Sequence, residues 1–284
     1  MPKQRAVPLP TAAGDDCRTR WLYSQDRMFV VNAEIKVSVV MACFNSEATI
    51  ERSIRSFLEQ GLPEKELIVI DGASGDRTAD IVRSFDSPLI RLQSEPDRGI
   101  YDAINKGIAM ARGESIGLLH SNDLFSSPDI LTRIAGHMED PALDGVFADI
   151  VFFRQDRPQR IVRRYSSASF SPARIASGWM PAHTSLYLRR SVFQRFGTYK
   201  IDYKIAADFE YVARIFSAGI SYKYVPEVWV LMLAGGASTA GLRAKIILNA
   251  EVVRACRENG IDTSYARILS KYPKKALELV FPGR

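Results

Sequence analysis

Three cysteines in 284 residues are too few and too scattered to build a framework. Cys17, Cys43 and Cys256 form neither a disulfide pattern nor the close pairs of a zinc site, which fits a reducing, cytoplasmic setting. No apolar run approaches the ~18 residues that read as a membrane span. The opening stretch, MPKQRAVPLPTAAGDDCRTR, lacks the apolar centre of an export signal, so export is not expected. Two phosphate-binding signatures are also missing. No G-x-G-x-x-G follows the first apolar strand, and no G-x-x-x-x-G-K-[ST] occurs, which disfavours a dinucleotide fold and a phosphate-cradling loop. Ser121 has no triad signature nearby, which leaves a serine nucleophile unsupported. The basic residues carry no interleaved aromatics, so no nucleic-acid partner is expected.

What remains is the composition of an ordinary soluble globular protein, 46% hydrophobic and 25% charged, long enough for one large domain or two small ones. The net charge of +6 is concentrated at the end: from Gly241 to Arg284 there are nine Lys/Arg against four acids. Such a run is either a solvated helix face or a region attracted to an anionic surface.

Residues 1–34 are rich in Pro, Ala and charge without periodicity, and read as a flexible tail. From Lys36 the pattern changes. KVSVVMA is β-branched and apolar and reads as a buried strand, and Ser46 can cap a helix striped by Ile50, Ile54, Phe57 and Leu58. ELIVID (66–71) and LIRLQ (89–93) read as further strands, with a short helix over 79–85 between them. A helix follows over 101–112, then the strand SIGLLH, another strand over 145–153, an Arg-rich segment near 154–164, and a less regular half. YKYVPEVWVLML (222–233) is expected to return to the sheet. Strands alternating with helices of about a dozen residues imply βαβ units and a mostly parallel sheet. The organisation expected is a tail (1–34), one α/β domain (35–236) and a basic helical appendage (237–284).

Acids stand at three successive strand ends: Asp71, then Glu95 and Asp97 within EPDRG, then Asp123 in SIGLLHSND. In a parallel sheet these ends share one edge, where ligands of α/β proteins sit. Acids there suit hydrogen bonds to a base or ribose, with one left to hold a divalent cation against a diphosphate. Asp123 in SNDLFSSPD is equally a candidate helix cap, and the residues alone leave both readings open. His183, in WMPAH, suits a metal, a phosphate or a hydrogen-bonded core position. Asp208 opens a helix in AADFEY, where a carboxylate also complements the helix dipole.

KVSVVMACFNSEATIERSIRSFLEQ, ELIVIDGASGDRT, SEPDRGIYDAINKGIAMARGE and GLLHSNDLF follow one another, and GWMPAHTSLYLRRSVFQRFGTYKIDYKIAADFEYVARI continues the match over residues 36 to 232. This order resembles bacterial family 2 glycosyltransferases of the GT-A fold, a Rossmann-like, mostly parallel sheet flanked by helices. The resemblance implies inverting transfer of a sugar from a nucleotide-diphosphate donor, a UDP-sugar first, to a hydroxyl of a glycan or lipid-linked acceptor. It implies a setting in cell-surface polysaccharide or glycolipid synthesis, on the cytoplasmic face of the membrane. On its terms Asp71 resembles the acid that holds the uracil or ribose, and Glu95 and Asp97 look like donor-site residues. Asp123 looks like the acid that holds Mn²⁺ or Mg²⁺, Asp208 sits where the base stands, and His183 resembles the histidine near the diphosphate. Arg98 and Tyr101 are expected to shape the sugar-diphosphate pocket. The chain departs from the family at Asn122, where a second acid is usual; the amide keeps an oxygen acceptor for the donor but loses a charge.

The basic end of the chain then gains a purpose, as an interfacial contact in which Ile246, Ile247, Val252 and Val253, with Leu277, Leu279, Val280 and Phe281, meet an anionic membrane. The alternatives are a sugar-nucleotidyltransferase, which would want a Gly-rich basic loop where CFNSEAT stands, and a catalytically silent nucleotide-sugar-binding protein, which Asn122 favours.

Overall fold

A computed structural model describes residues 21–24, 27–30, 34–154, 157–234 and 241–270. Within the segment expected to be a tail, Trp21–Ser24 (β1) and Arg27–Val30 (β2) pair as an antiparallel two-stranded ladder. They belong to a small unit, Met1–Glu34, separate from Ile35–Arg284; residues 1–20 lie outside the described residues.

The larger unit is built on one sheet. Val37–Cys43 (β3), Lys65–Asp71 (β4), Ile90–Ser94 (β5) and Ser115–Leu118 (β6) lie side by side in the order β5-β4-β3-β6, all parallel. Every residue of β3, β4 and β6 is buried, as expected for parallel strands covered on both faces. The intervening helices Ile50–Leu58 (α1), Thr78–Arg83 (α2) and Ile100–Met110 (α3) supply the crossovers. In α1 the buried stripe is Ile50, Ile54 and Phe57 as read from the periodicity. Ser46 contributes its carbonyl to the Thr49 and Ile50 amides, not a side-chain cap.

Alternation along β3 sorts the core into two layers. Val40 and Ala42 pack with Ile104, Ile108, Phe209 and Val212, while Val39 and Met41 pack with Ile50, Ile54, Phe57 and Ile134. Beyond β6 the sheet becomes mixed. Leu124–Phe125 (β7) and Ile130–Met138 (α4) lead to Gly145–Arg154 (β8), which runs parallel to Tyr222–Leu233 (β11). Tyr187–Arg189 (β10) inserts antiparallel between β6 and β8, and β7 closes the sheet antiparallel to β11. The Arg-rich segment, given no element from the sequence, is Arg157–Tyr165 (β9), an antiparallel partner of β8. Arg164 there donates to buried Asp149 through Nε and Nη2 at 3.0 and 2.7 Å. Neither β9 nor the three-residue β10 has the alternation that announces a strand.

Close approach at β10 depends on Gly117. A Cβ on Gly117 would lie 2.2 Å from the Tyr187 ring, and Tyr187 is fully buried. Gly117→Ala is therefore expected to destabilise the fold by ~1–3 kcal/mol through overpacking, read as a lower urea midpoint at unchanged slope.

Arg190–Phe196 (α5), Ala207–Ser217 (α6), Gly241–Glu258 (α7) and Tyr265–Leu269 (α8) are the remaining α-helices among the described residues. As far as it is described, the C-terminal segment is helical and packs into the core of the larger unit. Val252, Val253, Ala255 and Cys256 of α7 are 0–2% exposed and sit in the same core layer as Phe209 and Val212 of α6. Val252 and Val253, expected to face a membrane, face the protein; Ile246 remains 62% exposed. Leu277, Leu279, Val280 and Phe281 lie outside the described residues. No helix among the described residues is long and apolar enough to cross a membrane.

Candidate active site

The carboxyl ends of β4 and β5 are level. Asp71 pairs in register with Cys43 on one side and Ser94 on the other. Asp71 is fully buried and well supplied with donors: Ser94 Oγ at 2.6 Å, the Ser74 amide at 3.2 Å and the Ser74 hydroxyl. The neighbouring Cys43 thiol is pushed up to about 12, first by burial and then by the Asp71 charge, and is inert as a nucleophile. Gly72 lets a second acid approach, since a Cβ there would stand 2.5 Å from Asp97 Oδ2. Asp97 Oδ1 accepts from the Gly99 amide at 2.8 Å.

The loops after β3 and β4 are laced together. The Asn45 amide donates to Ser74 Oγ, the Gly75 amide to Asn45 Oδ1, the Glu47 amide to Asp76, and the Arg77 amide to Glu47. Phe44 stands at this mouth with 62% of its surface exposed, against the Gly72 position.

Glu95 and Arg98 turn toward α3. Glu95 pairs with Lys106 at 2.8 Å, which holds its carboxyl below the usual range, and Arg98 pairs with Asp102 at 3.1 Å while staying largely exposed. Tyr101 works from below: its hydroxyl donates to the Ile205 carbonyl at 2.5 Å and its ring stacks on Tyr199. Both contacts brace the chain just before Asp208.

Past β6 the chain presents His120, Ser121, Asn122 and Asp123. Ser121 Oγ reaches Ser46 Oγ at 3.0 Å, tying this turn to the loop after β3, and Asn122 is half-buried. Asp123 has no exposed surface and neither carboxylate oxygen has a hydrogen-bond partner. Burial pushes its carboxyl up to about 8, against a small opposing pull from the Leu233 amide, which lies near without meeting hydrogen-bond geometry. Two orphaned oxygens on a buried acid fit one ligand of a hard cation. Among the described residues no three acids, histidines or cysteines gather into a full cage, so further ligands would have to come from a bound donor or water.

His120 Nε2 lies 3.0 Å from His183 Nε2, and His183 Nδ1 lies 3.5 Å from Asp208 Oδ2. Burial lowers both imidazoles, His120 to about 3 and His183 to about 4, so both are neutral near pH 7. The network then assigns the tautomers: His183 carries its proton on Nδ1 toward Asp208 and accepts at Nε2 from His120 Nε2–H. Burial raises the Asp208 carboxyl to about 6, with the Phe209 amide and His120 pulling the other way. His183 and Asp208 keep 25% and 22% of their side chains exposed, a recess open to solvent. Glu210, two residues on, is fully buried and spoken for, paired with Arg214 at 2.8 Å and Lys200 at 3.0 Å. Of the two acids at this helix start, Asp208 is the one left facing the recess.

The sequence profile described as glycosyl transferase family 2 matches residues 38–206, more than half of the chain and every site residue up to His183. The chain belongs to glycosyltransferase family 2. A family member from Mycobacterium tuberculosis, an uncharacterized glycosyltransferase, is 34% identical over 180 residues, which is 63% of this chain and 68% of that one. A PGL/p-HBAD biosynthesis glycosyltransferase of Mycobacterium bovis is 27% identical over 184 residues, 63% of this chain and 69% of that one. Among solved structures, Staphylococcus aureus TarS 1-349 in complex with UDP superposes with a TM-score of 0.63 at 16% identity, covering 87% of this chain and 72% of its own. The mannosyltransferase PcManGT of Pyrobaculum calidifontis, in complex with GDP-Man and Mn²⁺, gives 0.58 at 19% identity, covering 87% and 81%. These likenesses establish the GT-A fold for this family 2 chain, an α/β sheet that is mostly parallel but mixed in its second half. Family membership also sets the nucleotidyltransferase alternative aside.

Sequence reading of this family 2 site passed over two residues. His120 lies inside the run singled out for Asp123, and its signal was position: an imidazole directly after a buried strand end. Phe44 is an aromatic placed where β3 stops, which only exposure distinguishes from core.

Proposed function

We propose that this glycosyltransferase moves a sugar from a nucleotide-diphosphate donor, a UDP-sugar first among candidates, to an acceptor hydroxyl with inversion. The observation that carries the reading is Asp208: a recessed carboxylate with a raised proton affinity, backed by a neutral imidazole, in a fold whose strand ends carry further acids. In this reading Asp71 and Asp97 hold the ribose or base, and the exposed Phe44 ring offers the base a stacking face. Asn122 and His183 contribute an amide and a ring edge to the donor, while Glu95, Arg98 and Tyr101 act through the frame around α3 rather than by direct contact. A Mn²⁺ or Mg²⁺ ion bound at Asp123 would stabilise the charge of the departing nucleoside diphosphate as a Lewis acid. Asp208 takes the proton of the acceptor hydroxyl as the hydroxyl oxygen bonds to the anomeric carbon and the bond from that carbon to the diphosphate oxygen breaks, its electron pair leaving with the nucleoside diphosphate. One base on the face opposite the leaving group suffices for inversion, and no covalent intermediate is needed.

The similarity to PGL/p-HBAD biosynthesis glycosyltransferases supports a glycolipid or lipid-linked glycan as acceptor, worked on at the cytoplasmic face of a membrane. Exposed Ile246 and the basic C-terminal residues support peripheral contact with anionic lipid there. The deciding experiment is a thermal-shift panel of UDP-, GDP- and dTDP-sugars with and without Mn²⁺, followed by release of nucleoside diphosphate from the best donor. Stabilisation by one nucleotide class and slow cation-dependent release are expected. No stabilisation by any nucleotide sugar would remove the reading.

A further inference from the structure

Helix α6, which begins with Ala207 and Asp208, has no side-chain cap of its own: its N-cap is Ala206, an alanine. Open main-chain amides at a helix start need partners. At the N-cap and the two residues before it, the partner comes from α7. Glu251 accepts from the Lys204 amide at 2.7 Å through Oε1, and from the Ile205 and Ala206 amides at 2.9 Å each through Oε2. One carboxylate thus gathers three successive N–H groups of the segment leading into Asp208. Helix α3 holds the same stretch of chain: Tyr101 Oη donates to the Ile205 carbonyl, and further back Asn105 exchanges two hydrogen bonds with the Tyr199 backbone. Glu251 is itself held by a buried neighbourhood, since Val252, Val253 and Ala255 anchor that stretch of α7 in the core.

Resting on the assignment of Asp208 as base, we infer that Glu251 is a positioning residue for catalysis: α7, outside the region matched by the family profile, sets where the Asp208 carboxylate stands. The glutamate touches neither donor nor acceptor. It fixes three peptide planes, and they fix the first turn of α6. A carboxylate is required because all three contacts are N–H donors; a glutamine must turn its own NH₂ toward some of them. Misplacing a reactive group by ~1 Å can cost about 10²-fold in rate, whereas the strand-end acids of the donor pocket lie on other elements and are left intact.

The test is a double-mutant cycle on the full chain, read as release of nucleoside diphosphate from the donor chosen by the thermal-shift panel. Glu251→Gln is expected to lower kcat ~10–100-fold while KM for the donor changes less than about two-fold. In an Asp208→Asn background, the same substitution is expected to change the residual rate by less than about two-fold, because its effect passes through Asp208. A general loosening of the fold would instead lower the rate in both backgrounds. Wild-type kcat in Glu251→Gln, or an undiminished effect in the Asp208→Asn background, overturns the inference. Should Glu251→Gln not fold, Glu251→Asp keeps the charge, shortens the reach by one methylene and runs through the same cycle. If Asp208→Asn itself keeps full activity, the base assignment falls and this inference with it. If Asp208→Asn is inactive and Glu251→Gln is not impaired, only the role of Glu251 fails.

Discussion

Asp208→Asn is expected to lower turnover by roughly 10²–10⁴-fold, the usual worth of a positioned general base, while the thermal shift produced by the donor is retained. The two outcomes separate because Asp208, at the start of α6, is assigned to the acceptor proton, while the donor contacts are assigned to other side chains, Asp71 and Asp97 among them. A companion effect appears in the pH profile. Burial raises the Asp208 carboxyl to about 6, and a base must be ionised, so the rate should climb as pH rises through about 6 and level off above it. His120 and His183 are held neutral down to about 3 and 4, so neither imidazole contributes a limb near pH 6. In Asp208→Asn the residual rate should lose that limb. Full activity in the variant, or a limb that survives the substitution, would show that another group takes the proton.

The part of this molecule that could be read from the chain is the part with repetition. KVSVVMA, ELIVID and SIGLL are apolar runs of strand length separated by helices of regular stripe, and they became β3, β4 and β6 of one parallel sheet. Because parallel strands end on a common edge, the chain alone puts Asp71, Asp97 and Asp123 along one edge of the sheet. The second half resisted because its elements owe their conformation to partners. β9 is a strand because β8 offers it hydrogen bonds and Asp149 neutralises Arg164. β10 survives at three residues because it lies between two strands. The helix α7 looked interfacial since Val252 and Val253 are apolar, but apolar periodicity does not say what covers a face. The same limit applies within the site. Glu95 and Arg98 sit in a motif that suggested donor contact, and here they pair with Lys106 and Asp102, in the second and first turns of α3. Position after a strand end is all that marks His120 and Phe44 in the chain, and Glu251 meets its amide partners some 45 residues away, where nothing local marks it.

Asp123→Asn should raise the stability of the protein alone and abolish its cation-dependent response to donor, two effects of opposite sign from one substitution. The carboxyl is fully buried, both its oxygens lack partners, and its pKa is raised from an ordinary 3.8 to about 8. The folded state therefore keeps this proton over a range where the unfolded chain has released it. Its contribution to stability is fully present below about 4 and is lost as pH climbs toward about 8, at up to ~1.4 kcal/mol per pH unit. Asparagine cannot ionise, so in EDTA the variant should match wild type near pH 4, pull ahead as pH rises from there, and melt several degrees above it near pH 8. Its buried amide still lacks a partner, but leaving a neutral group unsatisfied costs less than burying a bare charge. With Mn²⁺ and the best donor present the order should reverse, because the wild-type carboxylate exchanges its proton for the cation and the amide has no charge to offer. Asn122 makes this test sharp: beside it Asp123 is the only carboxylate in the turn, so no neighbour can take over. Equal melting of the two proteins in EDTA across pH 5 to 8 would show that Asp123 is not held as a buried acid. A donor response that survives in Asp123→Asn would move the cation elsewhere.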